Sequence, residues 1–137
     1  MNTKLLMTSS AVTLGLAGVI LTFMPEEILS YSGMEASKLL ELMVQIVGAL
    51  YFGFSMLNWM TKSGLIGGIY NRPIVIANFT HFFIVAMALI KAVMTHSGLP
   101  FAIWIMGVLY TIFAISFGTV LFRNPTSKII NTGQIKL

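Results

Sequence analysis

The sequence contains no cysteine and very little charge. Of its 137 residues, 9% are charged and 57% are hydrophobic, with four acidic side chains and two histidines. The absence of cysteine excludes a disulfide framework, thiolate metal sites and thiol redox chemistry. Soluble domains carry charge on about a quarter of their residues, and a disordered chain is much less apolar than this one. The composition therefore indicates a protein whose main solvent is lipid.

The excess of positive charge is small. Eight Lys and Arg residues against four acids give a formal net charge of +4. These cations are spread along the chain, whereas nucleic-acid recognition needs a dense basic patch. We therefore predict that the partner is the lipid bilayer and that nucleic acid is not bound.

Four long apolar runs dominate the chain. A hydrocarbon core about 30 Å thick is crossed by about 20 residues of helix. The runs cover residues 5–24, 39–60, 73–94 and 101–122. The length of the first run, with one lysine before it, favours a retained span over a cleaved signal peptide. We predict an all-α fold, an integral membrane bundle of four transmembrane helices in a single domain over residues 1–137.

The cations also predict an orientation. Four spans place the N-terminus, the second loop and a tail at 123–137 on one side of the membrane. That side collects six cations and no acid: Lys4, Lys62, Arg72, Arg123, Lys128 and Lys136. Since cytoplasmic loops keep the excess of Lys and Arg, we expect an N-in, C-in protein of the cytoplasmic (inner) membrane, with a cytoplasmic tail.

A short helix is predicted between the first two spans, over residues 25–31. Pro25 followed by Glu26 and Glu27 is typical of the first turn of a helix, where proline fits and acids meet the positive end of the dipole. Gly33 is expected to end it. We expect this amphipathic segment to lie at the outer interface.

Two ionisable residues stand near the outer ends of spans. Glu41 in the second span and Lys91 in the third are close enough to the boundary for their side chains to reach the interface. With Gln45 they form a predicted polar set at one level. These residues are either boundary charges that are solvated or paired with each other, or the mouth of a functional site.

A second polar group lies deeper and includes a histidine. Counting from Pro73, His81 is about 12 Å into the third span. Helical spacing and depth bring five side chains of the second and third spans together: Tyr51, Ser55, Asn58, Asn78 and His81. They either hold these two helices together by hydrogen bonds or line a polar pocket open to the cytoplasmic half. Such a pocket would accept a quinone carbonyl, a lipid head group or a proton.

Small residues form stripes on the first and last spans. Gly15 and Gly18 lie on one helical face of the first span, and Gly107 and Gly118 on one face of the last. Such stripes let helix backbones approach closely. They serve packing within the monomer, or one of them faces a second subunit.

The remaining polar residues are too few for a metal site or a catalytic triad. The other histidine, His96, is about 22 Å from His81 along a helix, and thiolates and carboxylate clusters are lacking. We predict no metal and no resident cofactor, although a bound lipid or quinone would fit. An enzyme would need chemistry from a cofactor or a partner subunit, and no catalytic residue can be assigned.

Three segments carry a resemblance to a known group of proteins. The runs 14–18 (LGLAG), 23–27 (FMPEE) and 45–49 (QIVGA) resemble small bacterial membrane families, broadly DoxX-like, in which the first helix ends in a Phe-x-Pro-Glu corner and three helices follow. The resemblance implies a bacterial cytoplasmic membrane and no well-defined chemistry.

Two functions follow as hypotheses. The leading one is a small non-catalytic accessory or assembly subunit that works through helix–helix contacts with other membrane subunits or with its own copies. The alternative is a quinone-, lipid- or proton-handling protein, or a small transporter, with a polar pocket between the second and third spans.

Overall fold

A computed structural model describes residues 2–64, 71–96 and 98–122, and these residues form α-helices. The helices are α1 (Thr3–Phe23), α2 (Pro25–Tyr31), α3 (Lys38–Thr61), α4 (Arg72–Thr95) and α5 (Phe101–Phe122). Helices α1, α3, α4 and α5 are long and apolar enough to cross a membrane. The all-α prediction is confirmed for the described residues, and each predicted span end lies within two residues of the observed one. The predicted tail at 123–137 lies outside the described residues.

The chain divides into two compact units. The first contains α1, α2 and α3, with residues 96–103, and the second contains α4 and the rest of α5. All four long helices keep large apolar side chains exposed, among them Leu16, Leu50, Ile84 and Ile115. Exposed apolar side chains along a helix of this length suit contact with lipid.

Helix α2 forms over the residues that the sequence predicts. Pro25 occupies its first turn together with Glu26 and Glu27. At its end the Met34 N–H donates to the Leu29 carbonyl oxygen and the Gly33 N–H to the Ser30 carbonyl oxygen, both at 3.0 Å. This is a Schellman motif, and Gly33 has the positive φ of 72° that it requires. Pro25 and Leu29 are the buried residues of this short helix.

Helices α1 and α3 approach each other so closely that their backbones are in contact. A Cβ atom added to Gly18 would lie 2.7 Å from the Phe52 nitrogen and 2.8 Å from the Gly48 carbonyl oxygen. A Cβ atom on Gly48 would lie 2.9 Å from the Gly18 carbonyl oxygen. Real Cβ atoms do not come this near to backbone atoms, so the approach requires glycine on both helices.

Helices α4 and α5 are instead joined by aromatic side chains. Phe82 on α4 is fully buried, and its ring centroid lies 5.2 Å from that of Tyr110, 4.8 Å from that of Phe113 and 5.6 Å from that of Phe117. Centroid distances of this size are typical of favourable aromatic pairs. Phe82 is thus the centre of an aromatic cluster that joins the two helices.

Candidate functional site

The five residues predicted to line a polar pocket belong to different units. Tyr51, Ser55 and Asn58 lie on α3 in the first unit, and Asn78 and His81 lie on α4 in the second. Ser55, Asn58 and Asn78 are buried, whereas Tyr51 and His81 are half-buried. The five residues therefore fall into two sets, one in each unit.

Two of the α3 residues make hydrogen bonds to α1. The Ser55 hydroxyl donates to the Ala11 carbonyl oxygen at 2.6 Å, and the Asn58 side-chain amide donates to the Ser10 hydroxyl at 3.1 Å. Ser10 in turn donates to the Met7 carbonyl oxygen at 3.0 Å. Ser10 and Asn58 are fully buried. We call this row of bonds between α1 and α3 the polar seam.

The polar seam continues toward the end of the unit that carries α2. The Gln45 side-chain amide donates to the Thr22 carbonyl oxygen at 3.5 Å, and the Thr22 hydroxyl donates to the Gly18 carbonyl oxygen at 2.8 Å. The Thr22 hydroxyl is thus hydrogen-bonded within α1, while the Thr22 carbonyl oxygen accepts a hydrogen bond from Gln45 on α3. The polar seam therefore has hydrogen bonds on both sides of the contact between Gly18 and Gly48.

The close approach of α1 and α3 at Gly18 and Gly48 explains why such short side chains can join the two helices. A Cβ atom on Gly15 would lie 2.7 Å from the Ser55 Oγ atom, so α1 leaves room for the serine hydroxyl. At a wider helix separation the Ser55 side chain would not reach the Ala11 carbonyl. Small residues and hydroxyl groups therefore act together in this seam.

Ser10 and Ala11 are partners that sequence analysis did not assign to these polar residues. Ala11 belongs to the same small-residue face as Gly15 and Gly18. This face indicated that another helix packs closely against α1, but not which helix. Ser10 adds a polar group one position away on α1. A polar residue flanking a small-residue stripe is the feature that would have indicated α1 as a hydrogen-bonding partner of α3.

The candidate residues on α4 lie beside the aromatic cluster. The Asn78 amide donates to the Ile74 carbonyl oxygen of its own helix at 2.9 Å. The His81 ring centroid lies 5.2 Å from that of Phe82 and 5.9 Å from that of Tyr110. An imidazole and a phenol, each with an exchangeable proton, therefore stand close together on facing helices of this unit.

The predicted packing glycines of α5 face α4. A Cβ atom on Gly118 would lie 3.2 Å from the Phe79 ring, and one on Gly107 would lie 3.7 Å from the Leu89 Cβ atom. These are contacts with side chains, whereas Gly18 meets backbone. The α5 stripe therefore accommodates side chains of its neighbour without bringing the two backbones together.

An apolar groove runs along the surface between α4 and α5, near the C-terminal end of α4 and the N-terminal end of α5. Its volume is about 450 Å³. Its lining includes Ile90 and Met94 on α4 and Trp104, Val108 and Ile112 on α5. We call this groove the trough. Five of the large apolar side chains that line it are exposed: Ile90, Met94, Trp104, Val108 and Ile112.

The predicted polar set of Glu41, Gln45 and Lys91 is divided between the units. The Lys38 ammonium donates to the Glu41 carboxylate at 3.0 Å and lies 3.7 Å from the Glu26 carboxylate. Gln45 belongs to the polar seam, and Lys91 is an exposed residue of α4. An ion pair of Glu41 with Lys91 stays a prediction, while the structure gives Glu41 a partner, Lys38, at the start of the same helix.

Lysine and tryptophan meet at the far end of α3. The Lys62 ammonium lies over the Trp59 ring, 2.9 Å from its centroid, which is a cation–π contact. Within residues 2–64, 71–96 and 98–122, no three His, Asp or Glu side chains cluster as a metal site would need.

No family model matches this chain, and no curated protein or solved structure is detectably similar to it.

Proposed function

We propose that this chain is a small non-catalytic membrane protein that acts as an accessory or assembly subunit through helix–helix contacts. The observation that carries the proposal is the polar seam. Ser55 and Asn58, two residues that would otherwise line a ligand site, make buried hydrogen bonds to α1. Polar side chains used in this way stabilise the packing of the protein itself.

The exposed surface supports the same proposal. Every long helix presents large apolar side chains outward, and the examples on α1 and α5, Leu16 and Ile115, are 62% and 63% exposed. In lipid such side chains contribute through close packing, which acyl chains and partner helices both supply. The chain thus offers several faces on which a partner helix can pack.

Site-specific photo-crosslinking in native membranes tests this role. We expect a photoreactive phenylalanine analogue at Leu16 or Ile115 to give a discrete protein adduct at one or both positions. The control is Leu14, which is fully buried and should give none. Deleting the chain should lower the amount of the cross-linked partner several-fold, because subunits that lose a stabilising contact are degraded.

Two outcomes would contradict the accessory role. One is a chain that stays monomeric in mild detergent and forms adducts with lipid alone. The other is a partner whose abundance does not change on deletion. Either result would favour the alternative hypothesis of a quinone-, lipid- or proton-handling protein.

We further propose an N-in, C-in orientation in a bacterial cytoplasmic membrane, as the cation distribution and the DoxX-like layout suggest. Because the sequence has no cysteine, single cysteines at exposed Ser30 and Ser63 report each side without background. We expect a membrane-impermeant maleimide to label Ser30→Cys in intact cells and Ser63→Cys only after permeabilisation. The reverse pattern would contradict the orientation.

A further inference from the structure

The trough on the second unit has the shape of a site for one lipid chain. From Trp104 to Ile112 it follows α5 for about 12 Å at 1.5 Å per residue. One leaflet of a bilayer contributes about half of the 30 Å hydrocarbon core. The trough therefore extends from the membrane boundary to near the midplane, over the depth that one acyl chain occupies.

A cation lies on α4 near the boundary end of the trough. Lys91 is not itself a lining residue, but it lies three residues before Met94, which lines the trough, and residues three apart are neighbours on a helix surface. Lys91 is exposed and stands four residues from the end of α4, while Trp104 stands three residues from the start of α5. Lys91 and Trp104 therefore lie at similar depth, where tryptophan favours the head-group region.

Lys91 has no acidic residue in its own unit. All four acids of the chain, Glu26, Glu27, Glu35 and Glu41, belong to the first unit. Of these, the Glu41 carboxylate is bonded to Lys38. A cation inside a membrane span is normally matched by an opposite charge. The phosphate of a lipid head group carries such a charge at the membrane boundary.

We propose that the trough binds an anionic phospholipid, with one acyl chain lying against Val108 and Ile112 and the phosphate bound by Lys91. The charge of Lys91 selects the anionic head group, and the apolar lining holds the chain. This inference does not depend on the accessory role, because it concerns a lipid and a different set of residues.

The two tryptophans allow the site to be tested in the full-length protein. Trp104 lines the trough, and Trp59 lies on α3 in the other unit. The Trp59→Phe variant is reconstituted in phosphatidylcholine vesicles containing a minor fraction of lipid brominated on its acyl chains. We expect brominated phosphatidylglycerol to associate with Trp104 about fivefold more than brominated phosphatidylcholine, the preference that one lysine near a membrane surface confers.

Removing the charge should remove the preference. In the Lys91→Gln variant the ratio should fall to about one, and in Lys91→Arg it should persist, because the charge is retained. The matched control carries Trp104→Phe, and its Trp59 quenching ratio should not respond to Lys91→Gln. Equal quenching of Trp104 by both lipids, or a preference that survives Lys91→Gln, would overturn the proposal. So would weak quenching of Trp104 by both lipids in these vesicles, since this would mean that a protein surface covers the trough.

Discussion

Replacing Gly18 by leucine should separate α1 from α3 and lower the free energy of unfolding by about 2–4 kcal/mol, the sum of an overpacked contact and lost hydrogen bonds. The physical cause is contact with backbone. A Cβ atom at this position would lie 2.7 Å from the Phe52 nitrogen and 2.8 Å from the Gly48 carbonyl oxygen. Backbone atoms in a helix cannot rotate away, so the helices must move apart.

Separation of the helices would also weaken the polar seam. The 2.6 Å bond from Ser55 to the Ala11 carbonyl needs the present helix spacing, since a serine side chain is short. The cost of Gly18→Leu is therefore a loss of close packing plus a loss of hydrogen bonds. Reversible unfolding in mixed detergent micelles, followed by far-UV circular dichroism, measures it.

Gly53 provides the matched control within α3. No atom lies within 4 Å of a Cβ atom added there. Gly53→Leu should therefore leave stability unchanged or raise it by up to about 1 kcal/mol, because glycine is the poorer helix former. If Gly18→Leu and Gly53→Leu had equal effects, the backbone contact between α1 and α3 would not be a stabilising feature.

The helices could be predicted closely from the sequence because lipid imposes a strict condition on composition. A chain that crosses the hydrocarbon core must satisfy its backbone within a helix and expose apolar side chains, so the spans appear as apolar runs. Helix α2 was predictable for a local reason. Pro25, the two acids after it and Gly33 encode its start and its end through backbone geometry and charge.

The partner of α3 could not be predicted from the same information. Sequence gives the depth of Ser55 and Asn58 and shows that they share a helical face. It does not show which neighbouring helix that face meets, because polar residues occur at matching depths on more than one span. Ser10 was missed since serine in a helix also bonds to a preceding carbonyl, as it does here to Met7.

The two small-residue stripes show how one pattern leads to different packing. Gly18 on α1 faces glycine on α3, and the backbones come into contact. Gly118 on α5 faces the Phe79 ring, 3.2 Å from where a Cβ atom would lie. Spacing on one helix predicts that a neighbour can approach. The size of the opposing side chain decides whether backbone or a ring occupies the space.

Phe82 on α4 contacts more than one aromatic ring of α5 and lies at the centre of their packing. Its ring is fully buried and contacts the three rings of Tyr110, Phe113 and Phe117. Phe82→Ala would leave a cavity among them. We expect a loss of about 2–3 kcal/mol, below the 3–5 kcal/mol seen in water-soluble cores, because lipid solvates an exposed ring as well as the interior does.

Phe83 is the natural control for Phe82→Ala, since it is the next residue on the same helix and is 47% exposed. Its stacking partner is Phe79 on α4 itself, at 5.5 Å, so Phe83→Ala removes a contact within one helix and should cost less than about 1 kcal/mol. Unfolding in mixed micelles gives the two free energies, and near-UV circular dichroism reports the aromatic cluster directly. The near-UV signal should fall strongly in Phe82→Ala and little in Phe83→Ala. If both variants were equally stable, the joining of α4 to α5 would have to depend on contacts other than this ring cluster.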